Sequence, residues 1–482
     1  MARSSALVLK PGVDVQEHFC AAGYTDGLPV VLPTRSRVEA MLSGTAHDAL
    51  DIIGQCPPSY ADATIEKLAI AAVMAGCTPE MFRIVVAAAK AALRPEFNLH
   101  GVHATTMGAT PVVVVNGPCR HEANVNFRHA PLGSGNRSHC VGRALKLLMQ
   151  NVGRAKLGGT ESTTLGTPMK FGLCFGEWEE RAGMWEPLSV ECGGLVRGQD
   201  SVTVVACAGG PFQLVDFNST PRELLQRIAH ALATAYSPAF PYVNNVLLVI
   251  SPEHYDTLLK AGMCSKKALA DALWRESCKH MIPYIPGIVR MQLRSKAPGI
   301  PSLLARLLGY AIAAVACVLR VFGKPLLLIP KFSGPESFQI AVAGAEAGKF
   351  SCFMPGFGVG TPGMPTANMS KPVTVPVEPV PASEFVSREG NDASAVLDPT
   401  SEMSTPLLTL AKREGVVTGP VALLDISKAR GSELLDVVAG KLTAQGIETR
   451  RYTKPTFSRP CPPSLRQRIS AECNSVVLGL AD

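Results

Sequence analysis

The last stretch of the chain reads GPVALLDIS (419–427), GSELLDVVAGKLTAQG (431–446), IETRRYTK (447–454), PPSLRQRISAEC (462–473) and NSVVLGLAD (474–482). Short apolar and β-branched runs alternate here with two segments of helical period, and Gly446 ends the first of those helices. Strand–helix alternation of this kind predicts a parallel βαβαβ, Rossmann-like unit. In such sheets function gathers in the loops beyond the carboxyl ends of the strands. The third strand reaches Asp482 with neither a loop nor a covering helix after it, so this unit is expected to be truncated.

Upstream, residues 348–385 are rich in Gly, Pro, Ser and Thr and read as an irregular connection. The expected organisation is therefore a large N-terminal α/β domain over 1–347, a Gly/Pro-rich linker over 348–414 and the C-terminal α/β unit over 415–482. Within the N-terminal part, TPVVVVNGP (110–118) is a continuous β-branched run closed by Asn-Gly-Pro, which predicts a buried strand with a loop at its end. Further strands are expected at 171–177, 201–207 and 244–252. Helices are expected at 61–77, at 78–93 with Pro79 in its first turn, at 135–155, at 220–236 with Thr220 and Pro221 as a start signal, and at 265–277. The sequence shows no internal repeat.

Composition narrows the function classes. A net charge of +7 over 482 residues, with no run of five basic residues, argues against nucleic-acid binding. The 14 cysteines contain no CxxC pair, so neither a zinc knuckle nor a thioredoxin-type dithiol is expected, and no metal is assigned. The opening MARSSALVLKPGVDVQEH lacks an apolar signal core, so reduced thiols and a cytoplasmic location are expected. LLGYAIAAVACVL (307–319) is an uncharged apolar run between Arg306 and Arg320. It falls short of the ~20 residues that span a bilayer, which favours a buried or partner-packed helix and no membrane. A membrane anchor with snorkelling arginines is the competing reading.

Several longer motifs are familiar. DISKARGSELLD (425–436), YTKPTFSRPCPPSL (452–465) and AECNSVVLGLAD (471–482) resemble the C-terminal domain of the UGSC-containing family, which carries a selenocysteine or cysteine in a U/C-Gly-Ser-Cys motif. YTDGLPVVLPT (24–34), EFNLHGVHATTMGATPVVVVNGP (96–118), GSGNRSHCVGRALKLLMQNVG (133–153) and TLGTPMKFGLCFGEWEE (164–180) resemble the companion domain of its longer members. The resemblance is weakest between about 285 and 410. In that family the GLAD strand runs straight into the redox turn. The resemblance therefore implies a product that continues past Asp482 with selenocysteine, encoded by a UGA that reads as a stop, or with cysteine, followed by Gly-Ser-Cys. No other cofactor is assigned.

Candidate site residues fall in two groups. NLHGVHATTMGA (98–109) sets polar groups just before a buried strand, with His100 and His103 as acid/base candidates and Asn98, Thr105 and Thr106 as substrate contacts. Asn136 and Arg137, in a Gly-rich turn that opens a helix, suit a carboxylate or phosphate, although a plain helix cap explains the turn equally well. Lys170, a substrate-contact candidate, precedes the strand at 171–177, and Glu177, the catalytic carboxylate candidate, ends it, where Trp178 would reduce its solvation. Asp26-Gly27 reads as a structural turn. In the C-terminal unit, Asp425, Lys428, Arg430, Lys454, Thr456, Ser458, Arg459 and Asp482 follow strand ends. Cations there would stabilise a thiolate or selenolate and attract an anionic substrate.

The reading that follows is a thiol- or selenol-dependent oxidoreductase acting on a small molecule, served by a thiol reductant protein. Two alternatives stay open: a non-redox hydrolase or lyase using the N-terminal His/Asn/Glu pocket, and a non-catalytic binding protein. Neither the substrate nor the oligomeric state is legible.

Overall fold

The computed structural model describes residues 4–7, 12–217, 220–297, 299–322, 330–358, 370–380, 396–401, 419–427, 431–455 and 460–479. The chain forms two compact units, Met1–Glu402 and Met403–Asp482.

The larger unit is built on two four-stranded mixed sheets. The first runs Val373–Pro376, Ser201–Cys207, Thr110–Asn116 and Leu173–Gly176 in spatial order; the second runs Phe212–Val215, Phe350–Pro355, Val246–Ile250 and Phe338–Val342. The two-residue period of the strands explains how they stack. Val112, Val114, Phe175, Val205 and Cys207 of the first sheet meet Leu247, Val249, Ala341, Cys352 and Met354 of the second in one dry layer. The alternate residues face outward. Val113, Val115, Val202 and Val204 bury against the helices Ile65–Ala75, Pro79–Ala92 and Ser138–Asn151. Val246, Leu248, Ile340 and Val342 bury against Pro221–Ala233, Pro252–Lys260 and Lys266–His280. The result is a four-layer helix–sheet–sheet–helix sandwich. A continuous valine run is what a strand covered on both faces requires.

Local signals end the elements as expected. Thr64 caps the helix Ile65–Ala75 by accepting from the Lys67 amide, and Gly76 ends it in the left-handed region at φ 88°. Thr220 and Glu223 form a capping box ahead of Pro221. The helix Ser138–Asn151 crosses the first sheet very closely at Gly142 and Gly172. A Cβ on Gly142 would lie 2.5 Å from the Leu173 nitrogen, and one on Gly172 would lie 2.2 Å from the Arg143 nitrogen.

Three features depart from the sequence reading. Phe350–Pro355 and Val373–Pro376 lie inside the stretch expected to be irregular, yet both are sheet strands of the larger unit. Val373 and Val375 point inward, and Pro376 is tolerated because the strand lies at a sheet edge. The sheets also repeat one topology that residue similarity does not reveal. In each, one parallel pair is followed by two antiparallel steps, and the fourth strands are exchanged. Phe212–Val215 follows Ser201–Cys207 in sequence but joins the second sheet, and Val373–Pro376 follows Phe350–Pro355 but joins the first. Finally, the apolar run at 307–319, expected as a buried or partner-packed helix, belongs to the helix Ser302–Val321, which is largely exposed and, at 20 residues, is long and apolar enough to cross a membrane by length and composition.

In the smaller unit, Val421–Asp425 lies between Thr449–Thr453 and Ser475–Gly479, all three parallel. Helices Gly431–Thr443 and Pro463–Glu472 make the crossovers. Leu435 packs on Val421 and Leu423, while Leu465 and Ile469 pack with Ala422, Leu424 and Tyr452.

Candidate functional site

The polar loop before Thr110–Asn116 is spent largely on local structure. Asn98, at φ 55°, caps the short helix Leu99–Ala104, its Oδ1 accepting from the Gly101 amide at 3.3 Å. The Thr105 hydroxyl accepts from the Met107 amide at 3.1 Å, and the Thr106 carbonyl accepts from the Thr164 amide. His100 stacks on Tyr60 with ring centroids 6.0 Å apart and its Nδ1 3.4 Å from the Tyr60 hydroxyl. His103 is buried with its Nε2 3.0 Å from the Met149 sulfur. Burial, then the positive charge of Lys146, pushes its pKa down to about 3, so it stays neutral.

Close by is a cavity of about 750 Å³ whose wall includes Thr25, Asp26, Lys146, Gln150, Glu161 and Lys170. Glu161 receives both Lys146 and Lys170, the latter at 3.0 Å. Burial pushes the Glu161 carboxyl up, but the two lysines outweigh it and hold the pKa below the usual carboxylate range. Lys170 also donates to the Thr163 hydroxyl at 2.8 Å and the Ala109 carbonyl at 3.1 Å. Asp26 is gripped at both oxygens by Arg143, at 2.7 and 2.8 Å. Gln150 holds the Gly23 and Thr25 carbonyls. Nearly every polar group here has its partner; Thr167 Oγ1 is the buried exception.

Glu177 lies elsewhere. Lys170 bonds the carbonyl just before Thr110–Asn116, whereas Glu177 bonds Asn116, the last residue of that strand. The two are thus roughly 20 Å apart at ~3.3 Å per residue. The structure does not unite Glu177 with His100 and His103. Glu177 accepts from Lys266 Nζ at 2.5 Å, Asn116 Nδ2 at 2.8 Å and the Leu188 amide at 2.7 Å. Its hydrogen-bonding capacity is taken up, which makes it a buried clamp. Asn136 accepts from the Ser138 amide at 2.9 Å, and Arg137 precedes that helix, so the Gly-rich turn closes on itself.

A second cavity, about 720 Å³, opens at the amino ends of Val246–Ile250 and Phe338–Val342 beside the first turns of Lys266–His280. Its polar groups behave differently. Gln339, Ser370 and Asn244 contribute to its wall, and Gln339 Oε1, Ser370 Oγ and Asn244 Nδ2 are buried without a hydrogen-bond partner. The other halves of the two amides are fixed: Gln339 Nε2 donates to the Glu336 carbonyl at 3.0 Å, and Asn244 Oδ1 accepts from the Ser333 hydroxyl at 2.8 Å. Lys266, on the same wall, has its charge answered by Glu177. Sequence reading missed these residues. The available signals were a glutamine inside the apolar run SFQIAV (337–342) and paired asparagines just before VLLVI (246–250).

In the smaller unit, the Asp425 carboxylate accepts from the Ser427 amide at 2.8 Å. The Asp425 carbonyl accepts from the Lys454 amide at 2.7 Å, and Ser427 Oγ donates to the Lys454 carbonyl. The ends of the first two strands are thereby tied together, and burial lowers the Lys454 pKa. Lys428, Arg430, Thr456, Ser458, Arg459 and Asp482 lie outside the described residues. Among the described residues no group of three or more His, Cys, Asp or Glu could hold a metal ion.

No curated protein and no solved structure matches the chain. The model of the UGSC family matches residues 395–482, which include all three strands of the smaller unit. That match covers the C-terminal segment, residues 395–482, and is consistent with a UGSC-containing protein.

Proposed function

We propose that this chain is a thiol- or selenol-dependent oxidoreductase acting on a small polar molecule. One observation carries the reading: the first strand of the smaller unit, Val421–Asp425, is central in its sheet. That order makes a topological switch point between Val421–Asp425 and Ser475–Gly479, and ligands of open α/β sheets bind at the carboxyl side of such points. A U/C-Gly-Ser-Cys turn directly after the third strand would stand at this crevice, near the Asp425–Ser427 turn. A selenol is ionised at neutral pH, whereas an ordinary thiol has a pKa of ~8.5.

The proposed step balances as follows. The selenolate or thiolate displaces a leaving group from the substrate, forming a carbon–chalcogen bond and releasing the group with its electron pair. The neighbouring cysteine thiolate then attacks the bound chalcogen, the carbon fragment departs with a proton, and the two protein chalcogens are left joined. A dithiol reductant protein reduces that bond, supplying the two electrons.

The larger unit is assigned the substrate. The unmatched Gln339 oxygen calls for a donor and the unmatched Asn244 amide for an acceptor, as a carboxamide provides. Charged residues of both signs share the wall, Lys267 and Lys371 with Glu191, Asp271 and Glu336, so the two amides rather than a net charge set the choice of a neutral carboxamide. The test compares the 482-residue chain with one extended by Cys-Gly-Ser-Cys and a helix. Dithiol-dependent turnover of amide-bearing substrates is expected only in the extension, and is lost when serine replaces its first cysteine. Equal turnover in both chains overturns the redox reading.

A non-redox hydrolase has one contact in its favour. Ser351 Oγ lies 2.7 Å from His254 Nδ1 on the wall of a third cavity, and His254 Nε2 is 3.2 Å from the Asp216 carbonyl. That is the arrangement of a nucleophile, a base and a group that orients the base. Turnover by the unextended chain that is abolished by Ser351→Ala supports this reading.

A further inference from the structure

Helices Ile285–Lys296 and Ser302–Val321 form a hairpin whose two faces differ sharply. The inner face is a small core of Ile285, Ile288, Val289 and Ala316, with Met281 and Ile282 beneath it. Ser302–Val321 gives to that core a narrow stripe of small residues, Ala305, Gly309 and Ala316. At Gly309 the helices touch so closely that a Cβ would lie 2.5 Å from the Pro286 Cα. The outer face is large and apolar. Leu303, Leu304, Leu307, Tyr310, Val318 and Val321 are each 55% to 83% exposed. The mean hydropathy of the second helix is 2.0, with only 17% of its apolar window buried. A soluble monomer rarely shows so long an apolar stripe without a partner for it.

Charge says what that partner is. Between residues 285 and 322 the sequence carries Arg290, Arg294, Lys296, Arg306 and Arg320 and no Asp or Glu, so this hairpin holds five of the chain's net +7 charges. Arg306 and Arg320 lie almost four turns apart, on one flank of the exposed stripe. Arg290 and Arg294, one turn apart on the other helix, are exposed as well. A second copy of the hairpin would bring five cations against five. An anionic lipid surface would answer the charge and the apolar face together. The packing also sets the mode. Ser302–Val321 is long and apolar enough to cross a bilayer, but Ile285–Lys296 packs along it and would carry Arg290 and Arg294 into the hydrocarbon core. The geometry suits a helix lying in the membrane plane, its leucines in the acyl boundary and its arginines at the headgroups.

We propose that the hairpin Ile285–Val321 docks the larger unit on an anionic membrane surface as an in-plane amphipathic element. This replaces the sequence-based expectation of no membrane contact, and it stands apart from the redox reading because it needs neither turnover nor an extended chain.

The test is co-sedimentation of the full chain with phosphatidylcholine vesicles, with and without phosphatidylglycerol. Binding is expected to the anionic vesicles, to weaken as salt rises, and to be at least tenfold poorer on the neutral ones. Arg290→Gln with Arg294→Gln should weaken it by about fivefold per charge removed. Leu304→Glu with Leu307→Glu, both on the exposed face and so compatible with folding, should abolish it while leaving the circular dichroism and the melting temperature unchanged. Absence of vesicle binding, or binding untouched by the paired leucine change, overturns the proposal. So does a concentration-dependent dimer that the leucine pair dissolves in the absence of lipid, which would assign the face to a second copy.

Discussion

Two cavities of the larger unit have almost equal volume, about 750 and 720 Å³, yet different polar chemistry. Around Glu161 and Asp26 the side chains answer one another: two lysines on one carboxylate, a two-pronged arginine on the other, a glutamine on two carbonyls. Around Gln339, Asn244 and Ser370, three buried polar atoms are left unanswered. A buried polar atom without a partner costs ~1–3 kcal/mol, and a fold keeps such a cost where something outside the chain completes the bond. On the reading proposed above, the difference separates polar residues that hold the fold from polar residues that meet the substrate, although Thr167 Oγ1 and Asn116 Oδ1 are also buried and unmatched elsewhere. Sequence alone ranks them the other way, because histidines and glutamates look more chemical than a glutamine or a serine.

Substitutions can break this contrast, beginning with the largest effect. Lys266→Met leaves Glu177 buried and unpaired, and should cost about 3–5 kcal/mol in a urea titration; a loss below about 1 kcal/mol would show that the clamp is not structural. Glu161→Gln sets Lys146 and Lys170 against each other and should cost about 1–3 kcal/mol by the same measurement. His103 gives a pH signature. It is neutral in the fold with a pKa of about 3, but takes a proton near 6.5 when unfolded. The unfolded chain therefore binds more protons between those values, and stability rises with pH across that window. Acidifying from pH 6.5 to about 5 should cost about 2 kcal/mol through this residue, and His103→Leu should flatten that slope. The smallest effect has the opposite sign. Ser370→Ala removes an unmatched hydroxyl and should stabilise the unliganded protein by about 1 kcal/mol, seen as a higher melting temperature.

Much of the scaffold was legible. TPVVVVNGP could only be a doubly covered strand, and the alternation after Gly419 could only be a parallel unit. Phe212–Val215 and Val373–Pro376 were hidden for physical reasons: one is four residues long and mostly exposed, and the other sits among prolines that an edge strand accepts. The strand exchange was not readable, because it lies in pairing between distant segments. Of the candidate residues, Lys170 reaches a cavity wall, while Glu177 lies at the far end of the same strand in a different network. Spacing along a chain cannot tell which end of a buried strand a loop residue will occupy. The cavity with unmatched atoms drew on segments near 188, 244, 266, 339 and 370, which no local motif connects.

The most direct measurement is calorimetric titration of the full chain with benzamide, nicotinamide and acetamide, set against benzoate. The account predicts saturable binding of at least one carboxamide, at least tenfold weaker binding of benzoate, and a roughly tenfold loss for the carboxamide in Asn244→Ala or Gln339→Leu, about 1.4 kcal/mol for one hydrogen bond. Benzoate binding as well as benzamide, binding unchanged in both variants, or no saturable binding of any of the three carboxamides would contradict it.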